Sequence, residues 1–402
     1  MSKNLLSSRE NMLAVINHEQ INYTPCSFML YKGLLENSKN YVDFLKKQIN
    51  LGLDAYAMIP PRAPQVVNDH YNLHGIAVNF DPSVKVKEWI EERKGEVFPI
   101  MVKEYYTPAG NLRAEVRQTD DWRWGDHVPL FDDYIAPRTL KYLIGEEGDL
   151  EKLKYLLKPP NIKEEEDVRN ESKPVIEFAH KQNLLTLGGW GVGADMIGWI
   201  YGLENMVYSA FDQPELLKDM LNIISEWNQA RMVTLLDIGV DVYIKRAWYE
   251  TCNFWSPSSF KKFLLPIIEQ EAALAHQYNT KFGYIATDKV SPLLPLLAVS
   301  GIDVLIGIDP HTYNLSKTKK AMKEKVCLWG GVNGHLTVEN GTEEEVREEV
   351  RIAMRELDLG GGFILSPVDN VREDSYRSRR NVRALLDEWK SLNRKGESVN
   401  MD

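Results

Sequence analysis

In its C-terminal half the chain repeats one pattern: a short run of apolar, β-branched residues, a polar or Gly/Pro stop, then a stretch of helical character. DVYIKR (241–246) is followed by a helix-like span over 256–278, and KFGYIAT (281–287) by LLPLLAVSG. VLIGID (304–309) precedes a Lys-rich helix, VCLWGGV (326–332) follows it, and TEEEVREEVRIAMREL leads into FILSPV (363–368). Short apolar runs alternating with helices are strands of a parallel sheet, covered on both faces. Thr342 opens its helix with Glu345 three residues on, the spacing of a capping box, and Gly360-Gly361-Gly362 ends it. LLTLGG (184–189), DAYAMIP (54–60) and TPCSFML (24–30) bring the count of strands to eight, the number that closes a barrel. The expected fold is therefore α/β, a (β/α)8 TIM barrel forming a single domain over 1–402. An open doubly wound sheet is the competing arrangement.

Between the second and third strands, VKVKEWIEE and MVKEYYTPAGNLRAEVRQ alternate like antiparallel strands around a turn at Pro108-Ala109-Gly110-Asn111. Residues 75–120 are read as a β-ribbon insertion over the barrel mouth. KPPNIKEEEDVRNESK (158–173) is the most linker-like stretch and is expected to join two helices.

The chain has 402 residues, 44% hydrophobic, enough for a large core in one barrel with insertions. Its net charge is −10 and no dense Lys/Arg block appears, which argues against a nucleic-acid partner. Three cysteines, Cys26, Cys252 and Cys327, lie far apart with no CxxC pair, as in a reducing compartment. No stretch approaches the roughly 20 apolar residues of a membrane span, and the first residues lack a signal-peptide core. A cytoplasmic protein without a membrane partner is expected; homodimerisation is left open.

Reactive groups of such barrels come from the C-terminal ends of strands. The first strand offers Phe28 and Tyr31, the third Trp190 and Asp195. The fourth offers Lys245, Arg246, Trp248, Tyr249 and Glu250, then Phe254 and Trp255; the fifth offers Tyr284 and Asp288. Asp309 and His311 follow the sixth, Asn333 and His335 the seventh, Asp369 and Asn370 the eighth. Each has a structural reading: Asp309 can cap a turn, His311 and His335 can be solvated loop residues, Lys245 and Arg246 can be ion-paired, and the aromatics can pack helices. Together they describe a pocket for a flat, partly polar organic molecule. Gly188-Gly189-Trp190-Gly191-Val192-Gly193 imitates a phosphate loop, but it lacks the Lys-Ser/Thr pair and Trp190 would crowd a pyrophosphate. No His/Cys cluster has ordinary zinc spacing.

Three segments carry a family resemblance: RENMLAVINHEQINYTPCSF, GVDVYIKRAWYETCNFWSPSSFKKFLLPII and WGGVNGHLTVENGTEEEVREEVRIAMRELDLGGGFILSPVDNV. In order, spacing and glycines the chain resembles the uroporphyrinogen decarboxylase superfamily over most of its length. True decarboxylases of that superfamily hold substrate carboxylates with arginines of an N-terminal Arg-Gln-Ala-Gly-Arg segment. The corresponding stretch here, Phe28-Met29-Leu30-Tyr31-Lys32-Gly33, has none. Thiol-activating methyltransferases of the superfamily bind zinc through a His-x-Cys pair and a later Cys; Tyr284 and Ala286 stand at the first two positions, and Ser366-Pro367-Val368-Asp369 offers no thiolate. Zinc is therefore unsupported by a Cys/His motif, although a carboxylate/His site is not excluded.

The resemblance thus implies a methyltransferase that moves a methyl group from a small, methoxylated aromatic to the cob(I)alamin of a partner corrinoid-binding protein. Under that reading Tyr284, Glu250, Asp288 and His311 are candidate acids. Lys245 and Arg246 would stabilise charge or bind a carboxylate, and Phe28, Tyr31, Trp190, Trp248, Tyr249, Asp309, Asn333, His335 and Asp369 would line the substrate pocket. The alternatives are a decarboxylase of the parent type and a non-catalytic barrel that binds a small aromatic.

Overall fold

The computed structural model of the chain describes residues 5–61, 78–322 and 324–399. A curled sheet of seven strands runs in the order β1 (Tyr56–Ile59), β6 (Leu185–Gly191), β7 (Val242–Arg246), β8 (Lys281–Ile285), β9 (Val304–Ile308), β10 (Cys327–Asn333) and β11 (Phe363–Val368). Every neighbouring pair is parallel. The eighth position is filled by residues 25–27, too short to form more than one bridge, Cys26 to Leu365. Ser27 N donates to Leu365 O (2.9 Å), Leu365 N to Pro25 O (2.9 Å) and Asp54 N to Cys26 O (2.9 Å), so this segment joins β11 to the strand side of β1. The Asp54 carboxylate reinforces the joint, accepting from Cys26 N (3.0 Å), Tyr23 Oη (2.5 Å) and Ser8 Oγ (2.8 Å). The cylinder is a (β/α)8 barrel.

Each strand divides its side chains by the period of two. Met58, Leu187, Val242, Ile244, Ile285, Ile306 and Trp329 meet inside the barrel. Tyr243, Phe282, Tyr284, Leu305, Leu328 and Leu365 face the surrounding helices. The helix Ser8–Ile16 closes the N-terminal end, with Met12, Val15 and Ile16 in the interior cluster. Arg9 ties it to Asp241 at the foot of β7 (2.5 Å). The open mouth is the C-terminal end.

The string of glycines in β6 has a structural purpose unrelated to phosphate. Gly189 pairs with Ile244 and Gly191 with Lys245, leaving Trp190 as an extra residue. This bulge turns the indole into the interior cluster. Gly189 has φ 123°, and a Cβ there would strike the backbone carbonyl of Ile244.

The insertion between β1 and β6 is an antiparallel sheet of four strands, β2 (Lys85–Glu91), β3 (Ile100–Thr107), β4 (Gly110–Arg117) and β5 (Thr139–Lys141), in that order. It extends past the expected limit of residue 120, because the short β5 returns to pair with β4 after a loop. The first three residues of the expected ribbon, 75–77, lie outside the described residues. The linker-like stretch joins two helices as expected, Asp149–Leu156 and Ile162–Gln182, but only by its first residues: Asn161 and Glu164 form a capping box and the second helix begins at once. Its polar residues are the solvated face of that helix, while Val168, Ser172, Val175 and Ala179 make the buried stripe.

Gly189→Ala should destabilise the fold by about 2–5 kcal/mol, from left-handed strain plus overpacking. Urea unfolding monitored by Trp fluorescence would read this as a lowered midpoint.

Candidate active site

Arg246 continues the inward phase of Val242 and Ile244, at the mouth of the barrel. Its Nε donates to Asp195 Oδ2 (2.5 Å), and its Nη2 to both oxygens of Asp133 (3.0 and 2.9 Å). The guanidinium carbon lies 3.9 Å from the ring centre of Trp248 and 4.8 Å from that of Trp199. Asp195, fully buried, also accepts from Tyr249 N (2.7 Å) and Trp248 N (3.3 Å), fixing the turn after β7. Asp133 comes from the insertion loop and accepts from Trp199 Nε1 (2.8 Å) and Tyr249 Oη (2.9 Å). Burial disfavours the Arg246 charge, but Asp195 and Asp133 more than offset it, and the pKa lies above its ordinary value. Burial also raises the Asp195 carboxyl, against the pull of Arg246.

Aromatic groups wall the mouth. Trp190 and Trp248 lie with ring centres 5.6 Å apart, and Phe28 and Tyr31 with theirs 5.1 Å apart. Phe28, Tyr31, Tyr41, Phe44, Tyr56 and Met58 line a cavity of about 50 Å³ that also touches Asn370. Leu30, Lys32, Leu35 and Gln48 complete the lining of this cavity.

Lys245, Glu250 and Tyr284 are not part of that wall. Lys245 is adjacent to Arg246 and therefore points the other way, into the layer between strands and helices. There Lys245 Nζ meets Glu271 Oε2 (2.8 Å), with relative exposures of 1% and 0%. Glu271 Oε1 accepts from Asn228 Nδ2 (2.9 Å), whose Oδ1 takes Val192 N (3.2 Å). Tyr284 Oη donates to Glu250 Oε2 (2.6 Å), and Ala194 N to Glu250 Oε1 (3.0 Å). Burial, then the Glu250 charge, pushes the Tyr284 phenol well above its usual value. A proton donor must reach the atom it serves, and this phenol faces helices. Two of the four expected acids, Tyr284 and Glu250, thus hydrogen-bond each other in this layer.

The remaining expected residues lie on the rim and fix loops. Asp309 accepts from His311 N (2.9 Å) and Asn333 Nδ2 (2.7 Å), the turn-capping role. His311 and Asn333 N both bind Glu349 of the helix Glu343–Leu357 (2.8 Å each). His335 pairs with Glu339 (3.0 Å), Asp288 accepts from Asn253 (2.6 Å), and Asp369 from Arg372 (3.0 Å). His311 and Asp288 are thus engaged with Glu349 and Asn253. Asp132, Asp133, Glu271 and Tyr56 escaped the sequence reading. Asp132 and Asp133 sit in an irregular loop with no periodic signal, and Glu271 looks like an ordinary surface glutamate of a helix.

Among the described residues, no group of three His, Cys, Asp or Glu side chains is arranged to hold a metal ion. The two positions matching the zinc ligands of thiol-activating relatives do not fit one: Ala286 has no donor atom, and Tyr284 is committed to Glu250. No helix of the described residues is long and apolar enough to cross a membrane.

A closed parallel barrel of this kind is a (β/α)8 fold, and such folds carry their sites at the C-terminal end of the strands. The model of the uroporphyrinogen decarboxylase (URO-D) family matches residues 162–387, more than half of the sequence, and the chain belongs to that family. Among solved structures, a methyltransferase from Methanosarcina mazei shares the architecture at TM-score 0.60 and 15% identity, covering 96% of this chain and 99% of that one. A B12-independent methionine synthase from Shewanella sp. W3-18-1 aligns at TM-score 0.46 and 12% identity, covering 94% and 99%. No curated protein matches the chain.

Two outcomes test the electrostatics. Lys245→Met should cost about 3–5 kcal/mol of stability, since it leaves Glu271 buried without its cation, and Glu271→Gln should cost less; denaturant midpoints give both. Burial raises the Asp132 carboxyl to about 7. The folded state then holds a proton that the unfolded state releases near pH 4, so this group's contribution falls as pH rises from 4 to 7, by at most about 1.4 kcal/mol per unit. Asp132→Asn should flatten that part of the stability–pH curve.

Proposed function

We propose that the chain is a methyltransferase that takes the methyl group of a small methoxylated aromatic at the barrel mouth and delivers it to the cob(I)alamin of a corrinoid-binding partner protein. The observation that carries this reading is the aromatic cavity lined by Phe28, Tyr31, Tyr41, Phe44 and Tyr56, together with the Trp190–Trp248 pair, whose Trp248 packs on Arg246. Flat rings are held by such faces and edges. The methyltransferase from Methanosarcina mazei, which has the same architecture, supports the class of reaction.

When bound, the partner's cob(I)alamin supplies the nucleophile. The chain's own groups orient the ring and stabilise the leaving oxygen. Trp248 stacks on Arg246 and holds its guanidinium still. Among the described residues Arg246 Nη1 makes no hydrogen bond, and its N–H groups are left to meet the ether oxygen as phenolate charge develops. A phenolate, conjugate acid pKa about 10, is a good leaving group, and a positioned donor adds roughly 10²–10⁴-fold.

Family membership favours decarboxylation of a carboxylated tetrapyrrole as the second reading. Against it, Arg246 and Lys245 are already matched by acids, and each buried carboxylate of such a substrate would need a cation.

The test mixes the protein with reduced corrinoid protein and a panel of methoxyarenes while following the cob(I)alamin absorbance. Methylcobalamin and one phenol per turnover are expected, and Trp248→Ala should lower kcat/KM by about tenfold or more, as loss of a ring contact does. Failure of every arene would remove the reading, and coproporphyrinogen formed from uroporphyrinogen would replace it with the second.

A further inference from the structure

Resting on the mouth as the substrate site, we infer that Gln48 is a specificity-determining residue: its amide takes an oxygen carried by the ring, so the cavity selects a methoxyarene with a free hydroxyl group. Gln48 lies on the helix Tyr41–Leu51, where Tyr41, Phe44 and Gln48 recur at i, i+3 and i+7 and share one face. All three line the aromatic cavity. An apolar residue would suit that face, since Gln48 is only 3% exposed. Yet its side-chain amide makes no hydrogen bond among the described residues. A buried amide without partners is costly, so its partner must come from what fills the cavity.

The other polar groups of the lining are placed differently. Tyr56 Oη donates to Met29 O, and Tyr41 Oη accepts from Met58 N (2.8 Å). Asn370 Oδ1 accepts from Lys32 N (3.0 Å). The Lys32 side chain is 46% exposed and reaches Glu36 at 3.3 Å, at the solvent edge of the cavity. Tyr31 Oη, like Gln48, has no hydrogen bond among the described residues, but a phenol offers one donor where the amide offers two and a carbonyl. A ring hydroxyl can donate to the Gln48 carbonyl and accept from its N–H; an ether oxygen can only accept. The free volume of about 50 Å³ is several times what a water needs, room for the oxygen-bearing edge of a ring. A ring without that oxygen would displace water from the amide and return nothing, the mismatch by which a polar site rejects an analogue.

The test compares 2-methoxyphenol with methoxybenzene, which differ by one hydroxyl group, in binding measured by calorimetry and in methyl transfer to cob(I)alamin. Binding of 2-methoxyphenol should be at least about tenfold tighter, with kcat/KM in the same direction. Gln48→Met keeps the volume and removes the amide; it should cut that ratio at least about fivefold and leave methoxybenzene bound as well as before or better. Tyr31→Phe and Lys32→Met should each keep most of the ratio. Binding of neither ring, equal binding of both, a ratio that Gln48→Met does not move, or one that Tyr31→Phe or Lys32→Met abolishes instead would overturn the inference. Should Gln48→Met not fold, Gln48→Leu is read in its place. If the hydroxylated ring is preferred through Gln48 but neither ring donates its methyl group, the inference stands and the methyltransferase reading fails. Methyl transfer from both rings with equal kcat/KM would keep that reading and remove the inference.

Discussion

A closed parallel sheet has an inside and an outside, and each strand hands its side chains to them in turn. That alternation decides what every polar residue of this chain can do. Lys245 and Arg246 are neighbours in sequence, yet one is sealed against Glu271 under the helices and the other stands at the mouth between Asp195 and Asp133. The sheet can sort them because it is closed, and closure depends on three residues, 25–27, hydrogen-bonded to Leu365 on one side and to Asp54 on the other. Without that joint the interior apolar cluster would have an open seam.

The buried charges follow from the same geometry. Burying Lys245 is tolerable only because Glu271 meets it and Asn228 holds Glu271, and Tyr284 occupies one oxygen of Glu250 while Ala194 N occupies the other. This network links β7 and β8 to the loop after β6. It lies behind the wall of the pocket, which its members help hold in place without touching the space inside.

Seven strands of the barrel were legible because buried parallel strands leave apolar runs of characteristic length in sequence, while the expected first strand, 24–30, is only a single bridge at Cys26. Which side of the wall each polar residue takes was harder to read. The phase of a strand is set by bulges such as the extra Trp190 between Gly189 and Gly191, and nothing in a run of glycines says where the insertion falls. The irregular loop that carries Asp133 to Arg246 was invisible for a related reason: it has no periodicity, and its partner lies 113 residues away in sequence. Asp309, by contrast, took the local capping role its spacing before Pro310 and His311 allows.

The helix Ser8–Ile16 stoppers the far end of the cylinder with Met12, Val15 and Ile16. A molecule working at the mouth therefore enters and leaves by one doorway. Should a small donor and a whole protein both use it, the donor must be seated first, and its remnant stays trapped until the larger visitor departs, so the order of arrivals is written into the plug.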